Sequence, residues 1–175
     1  MNTQDTICAI ATAQGGAIGV IRISGKDAIA ITDRIFTPVG KHPLPLSERK
    51  AYTMAFGHIR QDDGEIIDEV LIGLFKSPHS YTGEDCVEIS CHGSSFILQQ
   101  VMQLLIRKGC RAAGPGEFTQ RAFLNGKMDL SQAEAVADLI ASSSAATHRM
   151  AMNQMRGGYS GKIASLKNSL TDFAA

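Results

Sequence analysis

The first half of the chain alternates short apolar runs, rich in β-branched residues, with turn signals. Such runs at residues 6–12 and in GAIGVIRISG, residues 16–25, predict two paired strands, because glycines flank segments rich in Ile and Val. Two more strands are predicted at residues 51–60 and 65–76, joined by QDDG, whose Asp-Gly pair suits a tight hairpin. CVEISCH, residues 86–92, is a further strand.

Helical spacing appears between these strands and after them. Ser24 and Asp27 form an S-x-x-D capping box, and apolar residues then recur at helical spacing until Pro38 stops the pattern. A longer helix is predicted over residues 94–108, where apolar residues follow one face and Gly109 is placed to end it.

The pattern after CRAAG, residues 110–114, is helical throughout. One short helix is expected to end at Asn125-Gly126, where the backbone can adopt the left-handed conformation. The next helix is predicted over residues 129–155, with Ser131 and Glu134 as its capping box.

A last helical pattern begins after RGGYSG, residues 156–161, and reaches Ala175 without a glycine or proline to stop it. We therefore expect the chain to be a piece of a longer protein, cut inside a helix. The predicted fold class is α+β. A head of residues 1–118, with a mixed, mostly antiparallel sheet and two helices, precedes the start of an α-helical domain at residues 119–175.

Composition disfavours several classes of protein. Of the 175 residues, 44% are hydrophobic and 19% are charged, as in a globular protein. Seventeen basic and seventeen acidic side chains give zero formal charge, so no general field attracts a phosphate backbone. The sequence shows no export leader and no run approaching the roughly 20 apolar residues that span a bilayer. Four cysteines without metal-ligand spacing predict reduced core thiols in a cytoplasmic protein.

Strand CVEISCH carries candidate chemistry. Its period of two places Glu88, Ser90 and His92 on one face. That pattern fits an ordinary solvent face, and it also fits part of a metal site. A metal hydrolase built on Glu88, His92, His58 and Asp68 is therefore one alternative.

Arg22 lies in a strand otherwise full of Ile and Val. Arginine is rarely buried unless it is paired. Arg22 is therefore either a residue of an edge strand or the partner of an anion or acidic side chain, and its spacing leaves both open.

Familiar nucleotide and hydrolase motifs do not occur in this sequence, which has neither GxxxxGK[ST] nor GxSxG. A DNA-binding helix-turn-helix around Asn125-Gly126 is disfavoured, because its second helix, DLSQAEAVADLI, carries acidic and small side chains. By pattern alone, Lys127 at this break is a solvated turn charge or one side of a ligand site.

Three blocks of the sequence, taken together, indicate a known family. They are GGAIGVIRISG, SYTGEDCVEISCHG and GPGEFTQRAFLNGKMDLSQAEAVADLI. They closely resemble the N-terminal region of the tRNA-modification GTPases of the MnmE (TrmE) family, over essentially the whole chain. The resemblance implies a tetrahydrofolate-binding head followed by a helical domain, into which a Ras-like GTPase domain, absent from this sequence, is inserted.

The resemblance also implies an activity. With a flavoprotein partner, MnmG (GidA), proteins of this family modify carbon 5 of the wobble uridine of certain tRNAs, taking a one-carbon unit from a folate such as 5-formyltetrahydrofolate. GTP, Mg²⁺ and K⁺ belong to the missing GTPase domain. This chain is accordingly expected to bind folate and to form a homodimer through its head, without GTP hydrolysis of its own.

The folate contacts of the family fall on Arg22, Glu88 and Lys127 in this sequence. Glu88 could accept two charge-assisted hydrogen bonds from the N–H and exocyclic amine of a reduced pterin. Arg22 and Lys127 suit the carboxylates of folate, or its carbonyl and formyl oxygens, and the sequence leaves their division open. A further lysine and a cysteine motif near the C-terminus of the family lie outside this chain. The rival interpretation is a pure assembly module, in which these residues only hold a dimer together.

Overall fold

The computed structural model describes residues 4–142 and 144–157, and within them it contains seven strands and five α-helices. The strands are β1 Ile7–Ile10, β2 Ile18–Ser24, β3 Phe36–Pro38, β4 Met54–Arg60, β5 Ile66–Phe75, β6 Cys86–His92 and β7 Arg111–Ala112. The helices are α1 Ala28–Ile35, α2 Ser95–Arg107, α3 Glu117–Leu124, α4 Leu130–Ala141 and α5 Ala145–Met155, with a short 3-10 helix at Leu46–Glu48.

The strands form one sheet in the order β3-β4-β5-β6-β2-β1-β7. Every neighbouring pair is antiparallel except β1 and β7, which run parallel. The predicted hairpin joins β4 to β5, and Gly64 in its turn has a φ of +88°. The predicted α+β fold, with a mixed and mostly antiparallel sheet, is confirmed.

One face of the sheet carries the hydrophobic core. Alternate residues of the central strands, such as Ile21, Ile72 and Ile89, are fully buried there, together with Val101 and Leu104 of α2. The amphipathic pattern of α1 and α2 buries one stripe of each helix against this face.

The opposite face of the sheet, here called the open face, exposes large apolar side chains beside polar ones. Ile18, Met54, Phe56 and Leu71 are 64%, 64%, 48% and 42% exposed. The strand register places them on the same side of the sheet as Glu88.

The predicted Ser24/Asp27 capping box of α1 is wrong. Ser24 is the last residue of β2, and its buried hydroxyl hydrogen-bonds to Thr82 Oγ1 at 2.7 Å and donates to Glu84 Oε1 at 2.8 Å. Asp27 is the N-cap residue, but its side chain makes no capping bond. The hydroxyl is therefore used between distant parts of the chain instead of at the helix end.

The predicted Ser131/Glu134 box of α4 is also wrong. Asp129, with extended backbone angles of φ −88° and ψ 175°, is the N-cap residue, and it forms the reciprocal box with Gln132. Because an N-cap residue has non-helical backbone angles, the box begins two residues earlier than the Ser/Glu spacing suggested.

The predicted continuous helix over residues 129–155 is interrupted. Helix α4 ends at Ala141, Ser142 is extended, and Ser144 begins α5 by accepting a hydrogen bond from the Thr147 N–H at 3.1 Å. Serine hydroxyls compete for backbone groups: Ser142 Oγ donates to the Leu139 carbonyl at 2.7 Å. Ser142 therefore follows the end of α4 and Ser144 caps the start of α5.

The chain divides into two compact units, residues 1–121 and 122–175. In the second unit α4 and α5 pack together, and Gln132 Nε2 donates to the Met155 carbonyl while Gln154 Nε2 donates to the Ser131 carbonyl, both at 2.9 Å. The helical pattern predicted after residue 161 lies outside the described residues. No helix in the described part of the chain is both long and apolar enough to cross a bilayer.

Candidate functional site

Arg22 and Glu88 lie opposite each other on β2 and β6. Arg22 Nε and Nη2 donate to Glu88 Oε1 at 3.2 and 3.1 Å. Strand β2 lies between β6 and β1, so Arg22 is not an edge residue but the partner of an acidic side chain. With 28% and 35% of these side chains exposed, the pair can still be reached by a ligand.

Two aromatic rings flank the guanidinium of Arg22. Its Cζ atom lies 5.2 Å from the centre of the Tyr81 ring and 5.6 Å from that of Phe118, within the range of cation–π attraction. Tyr81 belongs to the loop before β6, whereas Phe118 lies in the first turn of α3. The Tyr81 hydroxyl is hydrogen-bonded to Thr119 Oγ1 at 2.8 Å, which links the loop to that helix.

A cavity of about 300 Å³ opens on the open face beside Glu88. Gly73 lies directly opposite Glu88 on β5, and its missing side chain leaves the floor open. Tyr52 and Phe75, whose rings meet edge to face at 6.0 Å, form an aromatic wall. The full lining is Tyr52, Thr53, Met54, Gly73, Leu74, Phe75, Glu88 and Ser90. An apolar wall with a few polar groups is typical of small-molecule sites.

Arg121 is almost fully buried, with 2% of its surface exposed. Its Nη1 donates to the Asp5 carbonyl at 2.6 Å and to Glu84 Oε2 at 3.2 Å, and its Nη2 donates to Asp5 Oδ1 at 2.7 Å. Glu117 Oε2 lies 3.5 Å from Nη2. Arg121 is four residues after Glu117 in α3, and no sequence pattern indicates that its side chain joins distant segments of the chain.

Arg111 completes this ionic cluster. It donates to both Glu117 oxygens, at 3.0 and 2.6 Å, and its Nε bonds to Asp5. These hydrogen bonds from Arg111 hold the pKa of Asp5 and of Glu117 below the usual carboxyl range. Glu117, and then Asp5, raises the pKa of Arg111. The cluster therefore fixes the start of α3, which carries Phe118, to the N-terminal segment.

All four cysteines are buried and none is in a disulfide, as predicted. Burial raises the pKa of Cys91 to about 12, and nearby Asp68 adds to the effect. The Cys8 and Cys110 thiols are hydrogen-bonded to each other, which raises the pKa of Cys110 and lowers that of Cys8. Cys91 therefore stays protonated at neutral pH and is an inert core residue.

The four residues of the alternative metal hydrolase are divided among separate pairs. His92 Nδ1 and its backbone N–H both contact the Asp68 carboxylate at 2.8 Å, and His58 Nε2 lies 3.2 Å from Glu69 Oε1. Glu88 is paired with Arg22 instead. Within the part of the chain that the structure describes, no group of three or more His, Cys, Asp or Glu residues could hold a metal ion.

Lys127 lies in the exposed turn between α3 and α4. Its backbone N–H donates to the Ala122 carbonyl at 2.9 Å, and Gly126 has the left-handed φ of +73° predicted for the helix end. Lys127 belongs to the second unit, whereas Arg22 and Glu88 belong to the first. Its membership of the folate site stays a prediction.

Comparison with known proteins gives a consistent result. The family model described as "GTP-binding protein TrmE N-terminus" matches residues 6–127. The chain is 70% identical over 172 residues to the tRNA modification GTPase MnmE of Bacteroides fragilis, covering 98% of this chain and 37% of that protein. It is 60% identical to the Phocaeicola vulgatus protein of the same name, covering 100% and 41%. For the Flavobacterium johnsoniae protein the identity is 57%, covering 100% and 37%.

The chain thus spans about two fifths of the length of these relatives, at their N-terminal end. Two of the three familiar sequence blocks lie wholly within the matched range, and the third begins there. The chain therefore belongs to the family of the GTP-binding protein TrmE N-terminus.

Proposed function

We propose that this chain is the folate-binding, dimer-forming N-terminal part of a tRNA-modification GTPase. The whole protein, with the flavoprotein MnmG (GidA), would modify carbon 5 of the wobble uridine of certain tRNAs, with GTP, Mg²⁺ and K⁺ bound outside this chain. Family membership and the printed name of the relatives support this proposal. The observation that carries the folate part is the Arg22–Glu88 pair beside an aromatic-walled cavity.

Glu88 suits the pterin edge of a reduced folate. Both hydrogen bonds from Arg22 end on Oε1, so Oε2 can accept from a ligand. A reduced pterin presents an N–H and an exocyclic amine on one edge, and a carboxylate accepts from such a pair with charge-assisted bonds. The ring system would lie in the cavity of about 300 Å³, against Tyr52 and Phe75.

Arg22 suits an oxygen-bearing part of the same ligand. Its guanidinium has five N–H donors in a fixed plane, and only two of the nitrogens are engaged by Glu88. It can therefore donate to a formyl or carbonyl oxygen, or to a carboxylate, while it stays paired. Lys127 is proposed as a second cation of the site, following the family pattern.

The proposed homodimer would use the open face of the sheet. Four large apolar side chains are 42–64% exposed there, on strands β2, β4 and β5. Contiguous apolar surface of this kind marks interaction sites. A second copy on this face would also enclose the cavity, which places the ligand close to the dimer interface.

Calorimetric titration of 5-formyltetrahydrofolate into the full-length protein tests the folate proposal. Saturable heat is expected for the wild type and is expected to disappear in Arg22→Ala. Arg34→Ala is the matched control, because Arg34 is an exposed arginine of α1 that bonds to the Lys108 carbonyl, outside the site.

The open face itself favours a second candidate, the pure assembly module. In that case the protein dimerises through the exposed apolar residues and Arg22 and Glu88 only support the interface. Flat titration traces from a protein that sediments as a dimer would favour this module over the folate proposal.

A further inference from the structure

Three groups from different parts of the chain surround the guanidinium of Arg22. Glu88 on β6 accepts its hydrogen bonds, and the ring centres of Tyr81 and Phe118 lie 5.2 and 5.6 Å from its Cζ atom. An arginine side chain has many rotamers, and fixing one of them lowers its entropy. The rings restrict those rotamers before a ligand arrives.

The two rings are themselves fixed in place. The Tyr81 hydroxyl is bonded to Thr119, the residue after Phe118. The same loop contains Glu84, whose carboxylate is bonded to the buried Arg121 of α3. The loop and α3 are therefore joined at two points.

Neither ring belongs to the buried core. Tyr81 is 36% exposed and Phe118 is half-buried, and the core of the sheet is formed by other residues. Leucine at either position would keep apolar bulk while removing the aromatic face. A contribution of the rings to Arg22 can therefore be separated from a contribution to folding.

We propose that Tyr81 and Phe118 are positioning residues that hold the guanidinium of Arg22 against Glu88, which lines the cavity. The proposal deepens the folate site and rests on that proposed function for its ligand. Loss of one ring leaves Arg22 more mobile and better hydrated, so a ligand must order it on binding. From the strength of one cation–π contact, the dissociation constant is expected to rise about threefold to tenfold.

The position of Arg22 can be measured without any ligand. Labelling of the full-length protein with phenylglyoxal, followed by mass spectrometry of the peptide containing Arg22, reports how accessible its guanidinium is. We expect labelling to be about threefold faster or more in Tyr81→Leu and in Phe118→Leu. Tyr81→Phe keeps the ring and loses only the hydroxyl bond to Thr119, so its labelling should be slower than that of Tyr81→Leu. Phe96→Leu is the control, since Phe96 is a 73% exposed phenylalanine of α2.

The same variants are then titrated with 5-formyltetrahydrofolate. The expected result is weaker binding in both leucine variants, a smaller loss in Tyr81→Phe, and wild-type binding in Phe96→Leu. Unchanged labelling of Arg22 in both leucine variants, or unchanged affinity in a protein that binds the folate, would overturn the proposal. If the wild type binds no folate, the proposed function fails, and the labelling alone decides whether the rings hold Arg22.

Discussion

Arg22 and Glu88 are 66 residues apart in sequence and face each other across β2 and β6, joined by two hydrogen bonds that end on one carboxylate oxygen. This partly exposed ion pair contributes little to stability by itself. The pair places the Arg22 cation beside the Glu88 carboxylate, which lines the cavity on the open face. A ligand with donors at one edge and oxygens beyond it can use both.

Replacing Glu88 by Gln should weaken the binding of 5-formyltetrahydrofolate. The variant keeps the shape of the side chain but loses the charge that strengthens bonds from the pterin edge, at a cost of about 1 to 3 kcal/mol. Titration calorimetry measures the difference. Glu69→Gln is the control, because Glu69 lies on β5 and bonds to His58 instead. Equal affinity of the wild type and Glu88→Gln would show that the carboxylate does not contact the ligand.

A large side chain at position 73 should keep folate out of the cavity. A Cβ atom there would lie 3.6 Å from a Phe75 ring carbon and 4.0 Å from the Glu88 carbonyl, which are ordinary contacts. We therefore expect Gly73→Ala to bind folate nearly as the wild type does and Gly73→Leu to bind at least about tenfold more weakly, since the longer side chain occupies the ligand space. Glu69→Leu, on the same strand and face, controls for the added leucine. Normal binding by Gly73→Leu would place the ligand elsewhere.

Removing Arg121 should destabilise the first unit. Arg121→Leu leaves the carboxylates of Asp5, Glu84 and Glu117 without their shared cation, and losing one partner of a buried ionic cluster costs about 3 to 5 kcal/mol. Urea unfolding followed by circular dichroism gives the free energy of unfolding. Arg34→Leu, at an exposed arginine, should change it by less than about 0.5 kcal/mol. A similar small change in Arg121→Leu would mean that the cluster does not hold the fold.

The protein should lose stability in acid because the carboxylates that Arg111 contacts become protonated. The pKa values of Asp5 and Glu117 are lowered in the folded state, so the unfolded chain takes up protons first as the pH decreases. The contribution is fully present above the ordinary carboxyl pKa of about 4 and is lost as the pH falls through the lowered values. The urea concentration at the unfolding midpoint, measured between pH 7 and pH 3, gives the dependence of stability on pH. Glu117→Gln should reduce this pH dependence, whereas the control Glu65→Gln, at an exposed residue, should not. The same pH dependence in the wild type and both variants would show that Glu117 does not cause the loss of stability in acid.

A charge on the open face should separate the proposed dimer. Phe56→Glu places a carboxylate among exposed apolar residues, where a partner copy would have to bury it. Sedimentation velocity is expected to show a dimer for the wild type and a monomer for Phe56→Glu. Phe96→Glu, on the exposed side of α2, is the control and should remain a dimer. A dimeric Phe56→Glu protein would place the interface on another surface.

The spacing of apolar residues predicted much of this architecture. Apolar residues recur every second position in the strands and every three to four positions in α2, because backbone geometry sets these periods. The period of two predicts that Glu88, Ser90 and His92 share one face of β6, and the burial of Val87, Ile89 and Cys91 on the other face confirms this division. The order of the strands in the sheet was not predictable, because it depends on pairing between strands that are distant in sequence. The contact of Arg22 with Glu88 follows from one such pairing, between β2 and β6.

The parts that sequence reasoning missed are those that depend on tertiary contacts. Tyr81 and Phe118 stand in a loop and at a helix start, where no periodicity assigns a direction to a side chain. Both lie inside the sequence blocks that carry the family resemblance, which was the only signal for them. Ser24 failed as a helix cap for the same reason, since its hydroxyl is bonded to Thr82 and Glu84.

A crystal structure of the protein with 5-formyltetrahydrofolate would show directly whether Arg22 and Glu88 bind the folate. We expect ligand density in the cavity between Glu88 and the wall of Tyr52 and Phe75, with the donor edge of the pterin at Glu88 and an oxygen of the ligand at Arg22. Density for the folate at a site that touches neither Arg22 nor Glu88 would contradict this expectation.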